Sequence, residues 1–316
     1  MNEKYLVSIV VPVHNVEKYI TRCLDSIIAQ TFDKVKIIIV ENGSTDSSPE
    51  ICKMYASKHE FIDYYIIQRV GISEARNFGI SKVDTEYVMF IDSDDVVSDR
   101  FVEILYNAIT KNKCDIVECD YVRFANNAQV EFDVNISRQL ILNRKNAIRR
   151  LITNEHTDYL WNKIYKTKML KDLKFIPNRF YEDIAIMHNV FQRAKKVMYI
   201  DAKLYGYYAN PTSITNTHDD KKREDVLLCW IERYEFCKRK YPHLKKRCLK
   251  KIFYYYINIF DYALVYNDNL KRANKYIKAY YNKRKYADLT KKDRLKILTA
   301  RIAPRVYILK NKKVKG

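Results

Sequence analysis

The sequence predicts an α/β chain: a mainly parallel, doubly wound sheet flanked by helices, followed by a basic helical extension. Three observations predict it. Short apolar runs rich in β-branched residues recur through the first hundred positions, and polar clusters follow three of them. Segments with helical spacing of apolar residues separate them, the alternation that gives parallel strands with right-handed crossovers. Charge divides the chain: residues 1–218 hold 29 Lys+Arg against 28 Asp+Glu, whereas residues 219–316 hold 29 against 10, so nearly all of the formal +20 lies in the last 98 positions.

Val7–Val11 reads as the first strand, ended by Pro12, which cannot continue a central ladder. Val16 to Ala29 places Tyr19, Ile20, Leu24, Ile27 and Ile28 near helical spacing. Lys36–Val40 is the next strand and runs into Glu41-Asn42-Gly43-Ser44-Thr45-Asp46, a polar turn with glycine at the bend. Ser48-Pro49-Glu50 opens a helix, serine as cap and proline at the first helical position. Ile62–Ile67 is a shorter strand, and Gly71–Ile80 a loop entering a helix. Tyr87–Ile91 is a buried strand, and Cys114 and Cys119 flank another.

Asp92-Ser93-Asp94-Asp95 follows Tyr87–Ile91, at the strand end where open α/β sheets place ligands. Two readings stand. Carboxylates this close repel unless a cation sits among them, and a hard divalent ion with one or two carboxylates and substrate phosphates suits that need. Alternatively the aspartates are a solvated turn capping the next helix.

Four segments then carry a resemblance: Val11-Pro12-Val13-His14-Asn15, Val40-Glu41-Asn42-Gly43-Ser44-Thr45-Asp46, Gly71-Ile72-Ser73-Glu74-Ala75-Arg76-Asn77 and Asp92-Ser93-Asp94-Asp95. In this order they resemble the nucleotide-sugar-binding half of a family 2 glycosyltransferase of the GT-A fold. Trp161-Asn162-Lys163-Ile164-Tyr165, Tyr181-Glu182-Asp183 and Asn210-Pro211-Thr212-Ser213-Ile214-Thr215 continue it. The pattern is similar to bacterial enzymes that build capsule, exopolysaccharide and lipopolysaccharide units. It implies a catalytic domain over 1–218, with a nucleotide-binding half (1–98) and an acceptor-binding half (99–218). Residues 219–316 are the basic, tyrosine-rich helical region.

The resemblance implies an inverting, metal-dependent hexosyl or N-acetylhexosaminyl transfer from a nucleotide-sugar, with UDP expected, to a glycan hydroxyl. Asp94, with Asp92, would hold Mn2+ or Mg2+, and Asp92 would also lie near the ribose. Pro12, His14, Asn15, Glu41, Asn42 and Arg76 would line the nucleotide. Arg76 could instead pair with a neighbouring acid such as Glu74. Asp95 is expected to cap or orient the following helix. Asp183 would be the general base and Glu182 its support; the same pair also suits a helix start. Trp161 could stack on a sugar ring or belong to the core. His218 could reach the metal. The chain departs from the pattern twice: Glu41-Asn42 stands where two aspartates are usual, and Tyr208 and Asn210 stand where relatives often carry arginine.

The basic region contains little glycine or proline and is expected to be helical. Lys251–Tyr266 is its most apolar stretch, short of the roughly 20 apolar residues that span a bilayer. Lys271–Gly316 alternates basic with apolar residues, as helices lying on anionic membranes do. An acceptor carried on a polyprenyl diphosphate at the inner face of the cytoplasmic membrane fits that tail. A non-catalytic protein that binds nucleotide-sugar, nucleic acid or membrane is the alternative, although no zinc-finger spacing or RNA-recognition signature occurs and no nucleic-acid partner is expected. Seven cysteines without a Cys-x-x-Cys pair, and no apparent signal peptide, lead to the expectation of reduced thiols in a cytosol.

Overall fold

The structure is a computed structural model that describes residues 4–125, 130–210 and 220–265, together with 291 and 295. The chain divides into two compact units, Met1–Thr217 and His218–Gly316.

In the first unit a mixed sheet forms the middle layer. Its strands are β1 (Val7–Val13), β2 (Val35–Asn42), β3 (Ile62–Ile67), β4 (Tyr87–Phe90), β5 (Val96–Val97), β6 (Ile116–Phe124), β7 (Gln139–Asn143), β8 (Lys163–Lys166) and β9 (Lys196–Tyr208). The order is β3-β2-β1-β4-β8-β6-β9-β5, with β7 on the flank of β9. The first four strands are parallel neighbours. β8 is antiparallel to β4 and β6, which makes the second half mixed. The helices α1 (Ile20–Ile28), α2 (Ser48–Lys58), α3 (Ile72–Ser81), α4 (Phe101–Lys111), α5 (Arg144–Ile152) and α6 (Glu182–Arg193) belong to the same unit.

All seven residues of β1 are buried. Helices covering both faces of a parallel sheet produce such a run. Ile9, Val11, Ile37 and Ile39 join Cys23, Leu24 and Ile27 of α1 in one cluster. On α3, Gly79 lets the helix approach β1, because a Cβ there would run into Val10 Cγ1 and meet Val40 at 3.4 Å. Pro12 does not end its strand as expected: β1 runs on to Val13, with Pro12 opposite Val40. The ladder to β4 stops at Val10–Phe90, so the missing proline N–H interrupts no pairing on that side.

The second unit contains α7 (Asp220–Lys240) and α8 (Lys245–Val265), joined by a short 3-10 turn at Pro242–Leu244. Both are long helices, as the composition of this region predicts. Trp230, Cys237, Cys248 and Ile252 are buried, and the Cys237 and Cys248 sulfurs lie 3.6 Å apart. Among the described residues no helix is long and apolar enough to cross a membrane. Lys271–Gly316, apart from 291 and 295, lies outside the described residues.

Candidate active site

The carboxyl ends of β1, β2 and β4 lie side by side, and each opens into a polar turn. The turns after β1 and β2 are laced together. His14 Nδ1 donates to the Asn42 carbonyl at 2.9 Å, Asn15 N–H donates to Ser44 Oγ at 3.1 Å, and Asn15 Oδ1 accepts from Thr45 N–H at 2.8 Å. Asn15 takes a left-handed backbone, φ 52°, which asparagine tolerates better than most residues. Pro12 is buried beneath this turn.

Glu41 is buried, and its Oε1 accepts from Ser44 N–H at 2.5 Å. Asn42 is committed as well: its amide donates to the Val70 carbonyl at 2.7 Å, and its Oδ1 accepts from Val70 N–H at 2.8 Å. Both ends of that carboxamide are thus used by the chain itself, so Asn42 shapes the turn rather than presenting a free amide. Asn77 makes the same two-point clamp on Phe175, with both hydrogen bonds at 2.9 Å.

The acid turn alternates. Ser93 and Asp95 are buried, while Asp92 and Asp94 are half-buried. Asp95 does not cap a helix. Its carboxylate accepts from Tyr205 O–H and from Tyr208 N–H, each at 2.7 Å, which fixes the turn to the end of β9. The short strand β5 follows it instead of a helix, so the expected cap has nothing to cap. The Tyr205 hydroxyl also accepts from Asp92 N–H at 3.1 Å. Asp94 Oδ2 accepts from Asn210 Nδ2 at 3.3 Å. Burial raises the pKa of Asp94, and the neighbouring charge of Asp92 adds to it. Such repulsion is what a cation between them would relieve.

Arg76 joins this turn to the second half of the unit. Its guanidinium is buried, donates to Asp92 Oδ1 at 2.8 Å, and pairs through its other terminal nitrogen with Glu182 Oε1. It does not pair with Glu74. Glu182 and Asp183 open α6 immediately after Tyr181, whose backbone is left-handed at φ 59°. Asp183 Oδ1 accepts from Ile184 N–H at 2.6 Å. Burial pushes the Asp183 carboxyl up to about 8, aided by the charges of Glu182 and Asp158.

In the second half of the unit lies a buried ionic network that the sequence reading missed. Glu118 on β6 accepts from His156 Nδ1 at 2.5 Å and from Thr157 N–H and O–H at 2.9 Å. Lys163 on β8 donates to Thr157 Oγ1 at 2.8 Å and to Tyr159 O and Asn162 Oδ1 at 2.7 Å. Burial opposes ionisation of Glu118, but Lys163 and His156 hold its carboxyl down to about 2. The network anchors the segment 156–163, which carries Asp158. Lys163 stands in a quoted motif, yet its partner Glu118 is 45 positions away, so spacing carried no signal.

Trp161 takes the core alternative. Its ring is 5% exposed and stacks with Tyr159 at 4.5 Å and Tyr205 at 4.3 Å, which leaves little face for a sugar. His218 and Pro211–Thr215 lie outside the described residues.

A mixed sheet whose parallel strands end in polar turns, with helices packed on it, is the GT-A architecture of sugar transferases. The family model described as "Glycosyl transferase family 2" matches residues 8–174, and the chain belongs to that family. It is 33% identical over 236 residues to glycosyltransferase GlyA of Streptococcus pneumoniae, covering 72% of this chain but only 34% of that one. It is 29% identical over 243 residues to glycosyltransferase GlyG of the same organism, covering 73% and 80%. Among solved structures, S. aureus TarS in complex with UDP-GlcNAc shares the fold, with a TM-score of 0.72 at 20% identity over 97% of this chain and 89% of that one.

Proposed function

We propose that this chain transfers a hexosyl or N-acetylhexosaminyl group from a UDP-sugar to a glycan hydroxyl, with inversion, in the synthesis of a bacterial surface polysaccharide. The observation that carries this reading is Arg76, which ties Asp92 of the acid turn to Glu182 beside Asp183 and so brings a donor side and a base side to one place. TarS, with its bound UDP-GlcNAc, supports the choice of UDP.

A divalent cation suits Asp92 and Asp94. Both are half-buried oxygen donors whose charges act on one another, and among the described residues no cluster of three or more His, Cys, Asp or Glu could hold a metal unaided. Two carboxylates completed by donor phosphates is the arrangement magnesium and manganese favour. When bound, the ion would act as a Lewis acid for the departing diphosphate. The turns carrying Pro12, His14, Asn15, Glu41 and Asn42 cradle the nucleotide. Arg76 holds Asp92 and Glu182 in register. Asp183 takes the proton of the acceptor hydroxyl at its carboxylate as that oxygen attacks the anomeric carbon opposite the leaving group.

The acceptor is a glycan on a polyprenyl diphosphate, reached from the cytoplasmic face. The second unit supports membrane contact: Lys238, Arg239, Lys240, Lys246, Arg247 and Lys250 are exposed, and residues 236–260 contain no acid. Each basic residue near an anionic surface contributes about 1 kcal/mol. Flotation with phosphatidylglycerol vesicles should retain the protein, and neutral phosphatidylcholine vesicles should not; equal recovery with both discards the membrane role.

Calorimetric titration of UDP, with GDP and CDP as comparators, tests the donor site. Tight UDP binding with manganese, abolished by EDTA and by Asp94→Ala, is expected. Binding of no nucleotide, or binding indifferent to EDTA, overturns the reading.

A further inference from the structure

The acid turn has a second arginine. Arg22 lies on α1, remote in sequence from the turn, and its Nη2 donates to the Asp94 carbonyl at 2.8 Å. Its guanidinium carbon sits 4.2 Å from the ring centre of Tyr208 and 5.1 Å from those of Tyr19 and Phe124. Tyr208 in turn packs on Tyr19 at 5.1 Å and on Phe124 at 5.3 Å. Arg22 Nε is buried and makes no hydrogen bond among the described residues, so the aromatic collar and one carbonyl set the orientation of the group.

The three carboxylates of the turn are held unequally. Arg76 grips Asp92, and both oxygens of Asp95 are taken by Tyr205 and the Tyr208 backbone. Among the described residues the Asp94 carboxylate has only the long contact from Asn210. Its main chain is gripped instead, by Arg22. The contacts close a ring: Arg22 on the Asp94 carbonyl, Asp95 on the Tyr208 backbone, and the Tyr208 ring on Arg22.

We propose that Arg22 is a positioning residue of the donor site, fixing the Asp94 peptide against the end of β9 so that the Asp94 carboxylate is aimed and left available for a divalent cation. This rests on the reading of the acid turn as the donor site. Holding the main chain while sparing the carboxylate is the work of an outer-shell support, and such supports typically alter metal affinity by about 10–100-fold when removed. A planar guanidinium is required, because it stacks on Tyr208 and donates in the ring plane at once, whereas an ammonium does not. Its positive charge also opposes the mutual repulsion of the turn.

The test is a manganese titration at saturating UDP, followed by calorimetry on the full chain, with metal-free melting recorded alongside. Arg22→Met should move the manganese midpoint upward by about 10–100-fold. Arg22→Lys should recover part of the loss, and Tyr208→Leu, which keeps the arginine but removes its platform, should shift it in the same direction by less. A role confined to packing α1 would lower the metal-free melting temperature and leave the manganese midpoint in place. A folded Arg22→Met protein with the wild-type midpoint overturns the proposal. If that variant does not fold, unchanged midpoints in Arg22→Lys and Tyr208→Leu overturn it. Wild-type protein that binds no UDP with manganese overturns the donor-site reading and this proposal together, whereas normal wild-type binding with unaffected variants overturns this proposal alone.

Discussion

Strands β1, β2 and β4, in the half proposed to hold the donor, are buried in hydrocarbon, whereas β6 and β8, in the half proposed to receive the acceptor, bury ions. Val7, Ile9, Val10, Ile37, Ile38 and Met89 are wholly inaccessible, and so is Lys163, with Glu118 at 1%. The donor side is held mainly by non-directional burial, with Ser8 bonded to Thr85 inside it and the other polar groups gathered at the strand-end turns. The acceptor side is held by a directional network in which every donor needs its own acceptor. A hydrocarbon layer tolerates exchange of similar shapes. A buried ion pair does not tolerate loss of one member.

That contrast can be broken experimentally, starting with the largest effect. Asp183→Asn should lower transfer by about 10²–10⁴-fold while UDP binding persists, since general-base contributions are of that order. Wild-type kcat/KM, which reports ionisation in the free enzyme, should follow the same group. A base must be unprotonated, and burial raises this carboxyl to about 8, so the rate should fall as pH drops below about 8 and level off above it. A flat profile from about pH 6 to about pH 9 would remove Asp183 from that role.

Next is Lys163→Met, which takes away the buried ammonium 3.7 Å from Glu118 and leaves that carboxylate to His156 and Thr157; it should destabilise the unit by about 3 kcal/mol in denaturant unfolding. Adding Glu118→Gln should restore part of that; no recovery would mean the pair is not the coupled unit its geometry suggests. Gly79→Ala probes the donor side. Its methyl would push into Val10, so a loss of about 1–3 kcal/mol is expected, from overpacking alone and insensitive to pH. The smallest effect belongs to a local contact. Asn143 Oδ1 caps α5 by accepting from Asn146 N–H at 3.0 Å, and Asn143→Ala should cost about 1 kcal/mol.

The same contrast explains what was legible in the sequence. Val7–Val11, Lys36–Val40 and Tyr87–Ile91 announce themselves because hydrophobic burial writes contiguous apolar runs, and β1, β2 and β4 fall on them. The start of α2 near Ser48-Pro49-Glu50 was legible from proline and an acid in a first turn, but Ser48 is not its cap: it lies inside the helix after Ser47, and its Oγ accepts from Val16 N–H at 2.9 Å instead. Arg76 was visible as a candidate, but not its partners: Glu182 lies 106 positions away. Arg22 gave no signal at all, since a single arginine on an amphipathic helix looks like solvated surface until Asp94 and Tyr208 arrive beside it. The two-point grip of Asn42 on Val70 gave no signal, because an amide looks the same in sequence whether it faces a ligand or clamps a neighbouring loop. Trp161 was ambiguous for the opposite reason, as only its packed neighbours decide whether an indole is covered. Pro12 was taken as a stop because ladder rules assume a partner on both sides, and there the β4 ladder has already ended.

Tyr181 has a further consequence. A bulky side chain with left-handed backbone sits about 1–2 kcal/mol above its relaxed state, and here it directly precedes Glu182 and Asp183. The helix bearing those carboxylates therefore starts from a cocked peptide rather than a slack one. Glycine at this position would remove the tension and let the helix start wander. With tyrosine the first turn of α6 has a narrow choice of bearings, and stability is exchanged for aim beside the carboxylate proposed to take the proton.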